Sequence, residues 1–219
     1  MAQGECRPRT PLYSLAAVAA ARSGAIAVSD TGTSNVYRIT AGKAIPVAAP
    51  DPAKNPFGMP EGLAFDTAGN LIVADLGLNA VLRVSGDQVA TLASVEAPSG
   101  VCIDKAGGIV VVSASRRRLV RVGPGGKVTT IAEGPPFELP LAVTAAGDGS
   151  YVVADGYAAA IFKVSPDGRV SVLAKGGPLK HPTGVAAEPS GAFVVVDPQA
   201  KAVFRVSPYG EISKIHASK

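Results

Sequence analysis

The sequence repeats itself, and the spacing of the repeat restricts the chain to very few folds. The motif Pro-x-Gly-apolar occurs as Pro60-Glu61-Gly62-Leu63, Pro98-Ser99-Gly100-Val101 and Pro182-Thr183-Gly184-Val185, while Pro140-Leu141-Ala142-Val143 has Ala in the glycine place. Nine residues after each proline stands a glycine: Gly69, Gly107, Gly149 or Gly191. Six further on comes an acid or serine (Asp75, Ser113, Asp155, Asp197), and eight beyond that a base (Arg83, Arg121, Lys163, Arg205). Gly24, Asp30 and Arg38 keep the last two spacings and place the start of a first unit at Leu15. Five units therefore begin at 15, 60, 98, 140 and 182, a period that matches the blades of a β-propeller.

Each unit reads as four strands. In the second they are predicted at Gly62–Phe65, Leu71–Asp75, Val81–Val84 and Val89–Leu92, separated by glycine-bearing turns such as Asp66-Thr67-Ala68-Gly69. Leu71-Ile72-Val73-Ala74, Ile109-Val110-Val111-Val112 and Phe193-Val194-Val195-Val196 are apolar at consecutive positions, so these strands must be covered on both faces. Blades stacked around an axis provide that cover. No unit holds an uninterrupted apolar pattern of the ~10–12 residues that a helix would need. The expected fold is all-β, a propeller of five four-stranded antiparallel blades over residues 15–219, preceded by an arm at 1–14. Closure then rests on the first blade packing against the fifth. The alternatives are an incomplete six-bladed propeller or an element of a larger assembly.

The stretches Pro60-Glu61-Gly62-Leu63-Ala64-Phe65-Asp66-Thr67-Ala68-Gly69-Asn70-Leu71-Ile72-Val73-Ala74-Asp75, His181-Pro182-Thr183-Gly184-Val185-Ala186 and Val28-Ser29-Asp30-Thr31-Gly32 resemble the NHL-repeat and gluconolactonase-like group of β-propellers. The resemblance spans residues 15–219. It departs in two respects: the Asn-His-Leu-type turn is degraded, and five units are present where the group more often has six. The absence of Trp speaks against WD40 blades. Such propellers host enzymes, receptors and scaffolds alike, so the resemblance implies a fold more firmly than an activity.

Composition narrows the partners. A net charge of +4 with only 17% charged residues does not concentrate charge as a committed nucleic-acid binder does. Cys6 and Cys102 make no disulfide framework and no metal-ligand spacing, and read as inert thiols. No apolar run is long enough to span a membrane. Arg7 and Arg9 followed by the apolar run from Pro11 to Ala21 have the form of a short secretory signal, although the repeat claims most of that run as a strand. A cytoplasmic location is expected unless residues near 1–23 direct export.

In a propeller the lead-in to each first strand and the turn between the second and third strands share one end of the ring. That end is expected to present Met59, Glu61, Ala97, Ser99, Leu139, Leu141, His181 and Thr183 near the axis. Gluconolactonase-like enzymes hold a divalent metal there, which the resemblance would make calcium. Glu61 is the sole axial carboxylate and the one weak candidate for a ligand or catalytic acid, with Leu141 and Ala16 in positions where donors would be needed. No cofactor is therefore expected. The recurring Asp30, Asp75, Asp155 and Asp197 are expected to cap the turns that follow them, and equal parity allows within-blade ion pairs to the bases eight residues on. Arg116-Arg117-Arg118 breaks the repeat at one turn and, with Lys180 and Lys201, suits a small anionic ligand or a protein partner. RNA fits less well, because Glu96, Glu133 and Glu138 share that face and aromatics are scarce. The reading is a binding module with Arg116, Arg117, Arg118, His181, Ser99 and Thr183 as ligand contacts. Its alternatives are a metal-dependent lactonase and a structural repeat element.

Overall fold

Consecutive β-branched residues bounded by glycine turns form the strands the repeat predicts. The computed structural model describes residues 12–47 and 55–217. Cys6, Arg7, Arg9 and most of the proposed arm lie outside them. Blade 1 holds β1 (Leu15–Ala20), β2 (Ile26–Asp30), β3 (Asn35–Thr40) and β4 (Lys43–Pro46). Blade 2 holds β5 (Pro60–Phe65), β6 (Leu71–Asp75), β7 (Ala80–Ser85) and β8 (Gln88–Ser94). Blade 3 holds β9 (Pro98–Ile103), β10 (Ile109–Ser113), β11 (Arg118–Val122) and β12 (Val128–Glu133). Blade 4 holds β13 (Pro140–Ala145), β14 (Tyr151–Asp155), β15 (Ala160–Val164) and β16 (Val170–Lys175). Blade 5 holds β17 (Gly184–Ala187), β18 (Phe193–Asp197), β19 (Ala202–Val206) and β20 (Ile212–Ala217). Each blade is an antiparallel meander in chain order, and the five are arranged in a ring as a five-bladed β-propeller. Leu15–Ala20, within the apolar run of the proposed secretory signal, forms β1.

Successive blades share cores because alternate residues of one strand face opposite neighbours. Ile72, Ala74 and Val81 of blade 2 pack on Ile109, Val111 and Val120 of blade 3. Val110, Val112 and Leu119 then pack on Tyr151, Val153 and Phe162 of blade 4, with Phe137 edge-on to Phe162 at 5.5 Å. Ala27 and Val36 meet Leu71, Val73 and Leu82 at the first junction, and Val152, Ala154 and Ile161 meet Phe193, Val195 and Phe204 at the fourth. Among the described residues no such core joins blade 5 to blade 1, so the expected closure by packing does not take the form of the other junctions.

The glycine of the Pro-x-Gly motif has a steric cause. A Cβ at Gly62 would lie 2.6 Å from the Ser99 carbonyl oxygen, and one at Gly100 would lie 2.8 Å from that of Leu141. The innermost strands therefore approach too closely for a side chain. Gly100→Ala is expected to lower stability by about 1–3 kcal/mol, the usual penalty of overpacking, read as a lower urea midpoint with unchanged slope.

The recurring aspartates do cap the following turns, and each also ties down the lead-in to its blade. Asp75 accepts from the backbone N–H of Gly58 (2.9 Å) and Met59 (2.8 Å), and from that of Leu78 (3.0 Å). Asp155 takes Glu138, Leu139 and Ala158 in the same way, and Asp197 takes Lys180, His181 and Ala200. In blade 3 the Ser113 hydroxyl donates to the Glu96 carbonyl instead. Among the described residues the bases eight residues on do not pair with these aspartates. Arg83 lies opposite Ile72, three residues down the strand from Asp75, and reaches Asp66 of the first turn at 3.7 Å. Arg121–Asp104 (2.6 Å), Lys163–Asp148 (2.8 Å) and Arg205–Glu188 (2.8 Å) repeat that arrangement.

Burial alone would raise the Asp30 carboxyl, but N–H groups of Tyr13, Ser14, Thr33 and Gly32 outweigh it and hold it below the ordinary value. The stability this contributes is present above the unfolded value and is lost as pH falls through the folded one. The midpoint of acid unfolding should therefore move upward in Asp30→Asn, as followed by circular dichroism.

Candidate functional site

The residue that follows each motif proline is displaced from the strand ladder, and this displacement builds the axial site. Pro60 pairs with Asp75 and Gly62 with Ala74, leaving Glu61 as the extra residue of a β-bulge. Ser99, Leu141 and Ala16 occupy the equivalent bulges in their blades. A bulge bends the strand and re-aims one side chain. Thr183 precedes β17, its N–H donating to the Val196 carbonyl at 3.0 Å. Together these residues line an axial cavity of about 500 Å³, whose walls are otherwise Gly62, Gly100, Ala142, Gly184 and short aliphatic side chains.

The structure thus brings Glu61, Ser99 and Thr183 to one cavity. Burial, with the Asp75 carboxylate nearby, pushes the Glu61 carboxyl above its usual value. The Ser99 hydroxyl donates to the Pro140 carbonyl at 3.4 Å. Because the fold holds the Glu61 proton more tightly than the unfolded chain does, ionisation costs stability above the unfolded value and nothing below it. Glu61→Gln should raise the Tm near pH 8, and the gain should vanish in acid, as scanning calorimetry across pH would show.

Calcium coordination needs about six to eight oxygens. The axial ring offers one carboxylate and two hydroxyls, while Leu141 and Ala16 present only carbon side chains. Among the described residues no group of three or more metal-ligating side chains forms. These side chains supply fewer oxygens than a calcium shell takes.

The arginine turn and His181 lie away from the cavity. Arg116 is held by Glu96 at 2.7 Å in an exposed pair. Arg117 has φ 51° and is exposed. Arg118 stands opposite Glu133 in the sheet, and its Nε is buried without a hydrogen-bond partner. The His181 ring covers Gly156, where a Cβ would come within 2.6 Å, and leans on Tyr157 with centroids 5.7 Å apart. His181 packs the lead-in of blade 5 on the turn of blade 4. Cys102 is buried, and burial pushes its thiol up to about 12. What sequence reasoning missed here is the set of bulges, whose only signal is the unpaired position between a proline and a close-packed glycine.

No family model matches the chain, and no curated protein matches it in sequence. Solved structures do resemble it. Virginiamycin B lyase from Staphylococcus aureus is 15% identical with a TM-score of 0.77, over 94% of this chain and 70% of that one. A gluconolactonase from Xanthomonas campestris is 15% identical with a TM-score of 0.79, over 92% and 75%. A chain of the nidogen/laminin complex is 19% identical with a TM-score of 0.80, over 92% and 80%. What is shared is the propeller. Two of these proteins are enzymes and one comes from a protein–protein complex, so the likeness carries the architecture and leaves the activity open.

Proposed function

We propose that the propeller is a binding module that takes a small, largely uncharged ligand in the axial cavity. One observation carries this reading: Glu61, Ser99 and Thr183 converge on a cavity of about 500 Å³ whose remaining walls are glycine and short aliphatic side chains. Ligand sites are commonly mostly apolar, of about 300–1,000 Å³, with a few polar groups that fix orientation. The Glu61 carboxyl and the two hydroxyls meet the polar atoms of the ligand, and the apolar walls cover the rest of it. No nucleophile or base pair is assigned. The arginine turn serves this reading less well, since Arg116 is already paired and Arg118 faces Glu133.

Ligand-observed NMR with a library of neutral, oxygen-bearing fragments tests the proposal. Fragments should bind the wild-type chain and be lost from Ser99→Leu/Thr183→Leu, which fills the cavity, while Arg117→Glu leaves them bound. Equal binding to the filled variant would move the site elsewhere. A saturable rise in Tm with calcium that Glu61→Gln abolishes would instead favour a metal-dependent hydrolase.

A further inference from the structure

A guanidinium is left without a hydrogen-bond acceptor at the junction of blades 2 and 3, and a cavity lies against it. In blades 3, 4 and 5 the base of the third strand makes a short ion pair with the acid of the first turn, but in blade 2 Arg83 stays 3.7 Å from Asp66. The cause is Asn70. Its side-chain amide donates to Asp66 Oδ2 at 2.9 Å, while the N–H groups of Ala68 and Asn70 fill Oδ1. Gly108 stands in the same place in blade 3, so Asp104 keeps an oxygen for Arg121. Among the described residues Arg83 donates no hydrogen bond, although its Nε is buried.

The neighbouring blade does not supply the missing acceptor. Arg83 lies opposite Ile72 and shares its face toward blade 3. Arg121 is placed the same way toward blade 4, where the Tyr151 hydroxyl accepts from its Nη2. The corresponding residue of blade 3 is Ile109, which opens β10 as Tyr151 opens β14 and has no polar atom to offer. The turn after β11, Gly123-Pro124-Gly125-Gly126, carries no polar side chain where blades 4 and 5 have Ser165, Asp167 and Ser207. What remains is a cavity of about 630 Å³ lined by Arg83, Thr91, Leu92, Ala106, Ile109 and Pro124 among others.

These walls define the chemistry of a ligand. The planar Arg83 fork suits a carboxylate, which it can hold through two parallel hydrogen bonds. The Thr91 hydroxyl shares the cavity, and the carbon atoms of Leu92, Ala106, Ile109 and Pro124 supply apolar cover. Around it Arg83, Lys105, Arg121 and Lys127 stand against Asp66, Asp87 and Asp104, an excess of a single positive charge. Arg121 is already engaged by Asp104 at 2.6 Å, and Lys105 donates to the Gly147 carbonyl. A monoanion matches that balance, whereas a dianion would sit beside the Asp66 carboxylate with one open guanidinium to offset it. We propose that the groove between blades 2 and 3 binds a small monocarboxylic acid with a short aliphatic body, its carboxylate on Arg83. The groove shares no lining residue with the axial cavity, so this site stands or falls independently of the axial ligand.

Sodium isobutyrate is a probe of that chemistry, and isobutyramide is its neutral counterpart. Titrated into the full chain, isobutyrate should move the Arg83 Nε–H signal saturably in heteronuclear NMR, with a Kd on the order of 1 mM, while isobutyramide leaves it in place. Arg83→Gln should weaken isobutyrate by about tenfold or more, since the charge-assisted pair is lost, and keep the urea midpoint near that of the wild type. Ile109→Tyr should set a hydroxyl against Arg83, as Tyr151 does for Arg121, and abolish binding with the guanidinium still present. The axial double variant Ser99→Leu/Thr183→Leu should bind isobutyrate as the wild type does. An Arg83 signal that does not move, equal binding of isobutyramide, inorganic phosphate binding more tightly than isobutyrate, or undiminished binding to Arg83→Gln would overturn the proposal.

Discussion

A carboxylate buried at the end of the second strand organises each of four blades. Asp75, with no exposed surface, gathers N–H groups from residues sixteen and seventeen positions earlier and three positions later. Three backbone segments that no ladder would hold together thus meet at one charge. Buried carboxylates are costly unless their lone pairs are satisfied, and here the donors are fixed main-chain groups that need no side-chain ordering. Asp30, Asp155 and Asp197 do the same, so the rim of the ring is positioned by one repeated polar contact. In blade 3 a hydroxyl replaces the carboxylate, and that is the blade whose turn carries the three arginines.

Packing between blades rests on two complementary demands. Alternate aliphatic residues must present a face to each neighbour, and the inner strands must come close enough that Gly62 and Gly100 admit no Cβ. The first demand makes the strands read as continuous Val and Ile runs, and the second places glycine beside the axis.

The blade count, strand positions and turns were legible in the sequence because each recurs with fixed spacing. β6, predicted at Leu71–Asp75, is observed at that span, whereas β8 extends beyond its predicted Val89–Leu92 to Gln88–Ser94. The capping role of the aspartates was legible from their recurrence, but their bonds to the lead-in were not, because those partners lie across the blade. The ion pairs failed for a related reason: the register sets Arg83 opposite Ile72, three residues from Asp75, and therefore on the other face of the blade. At the site, the axial placement of Glu61, Ser99 and Thr183 follows from the repeat, whereas the distance of His181 and the arginine turn from the cavity depends on packing that no spacing records.

The bulge at the head of the inner strands has an evolutionary consequence. Glu61, Ser99, Leu141 and Ala16 occupy one structural position with an acid, an alcohol, a large aliphatic and a methyl group. Since the displaced residue contributes no rung to its ladder, the blade is nearly indifferent to what stands there. The axial lining can be rewritten one blade at a time while the ring persists, and selection can explore new ligands without first having to rescue the fold.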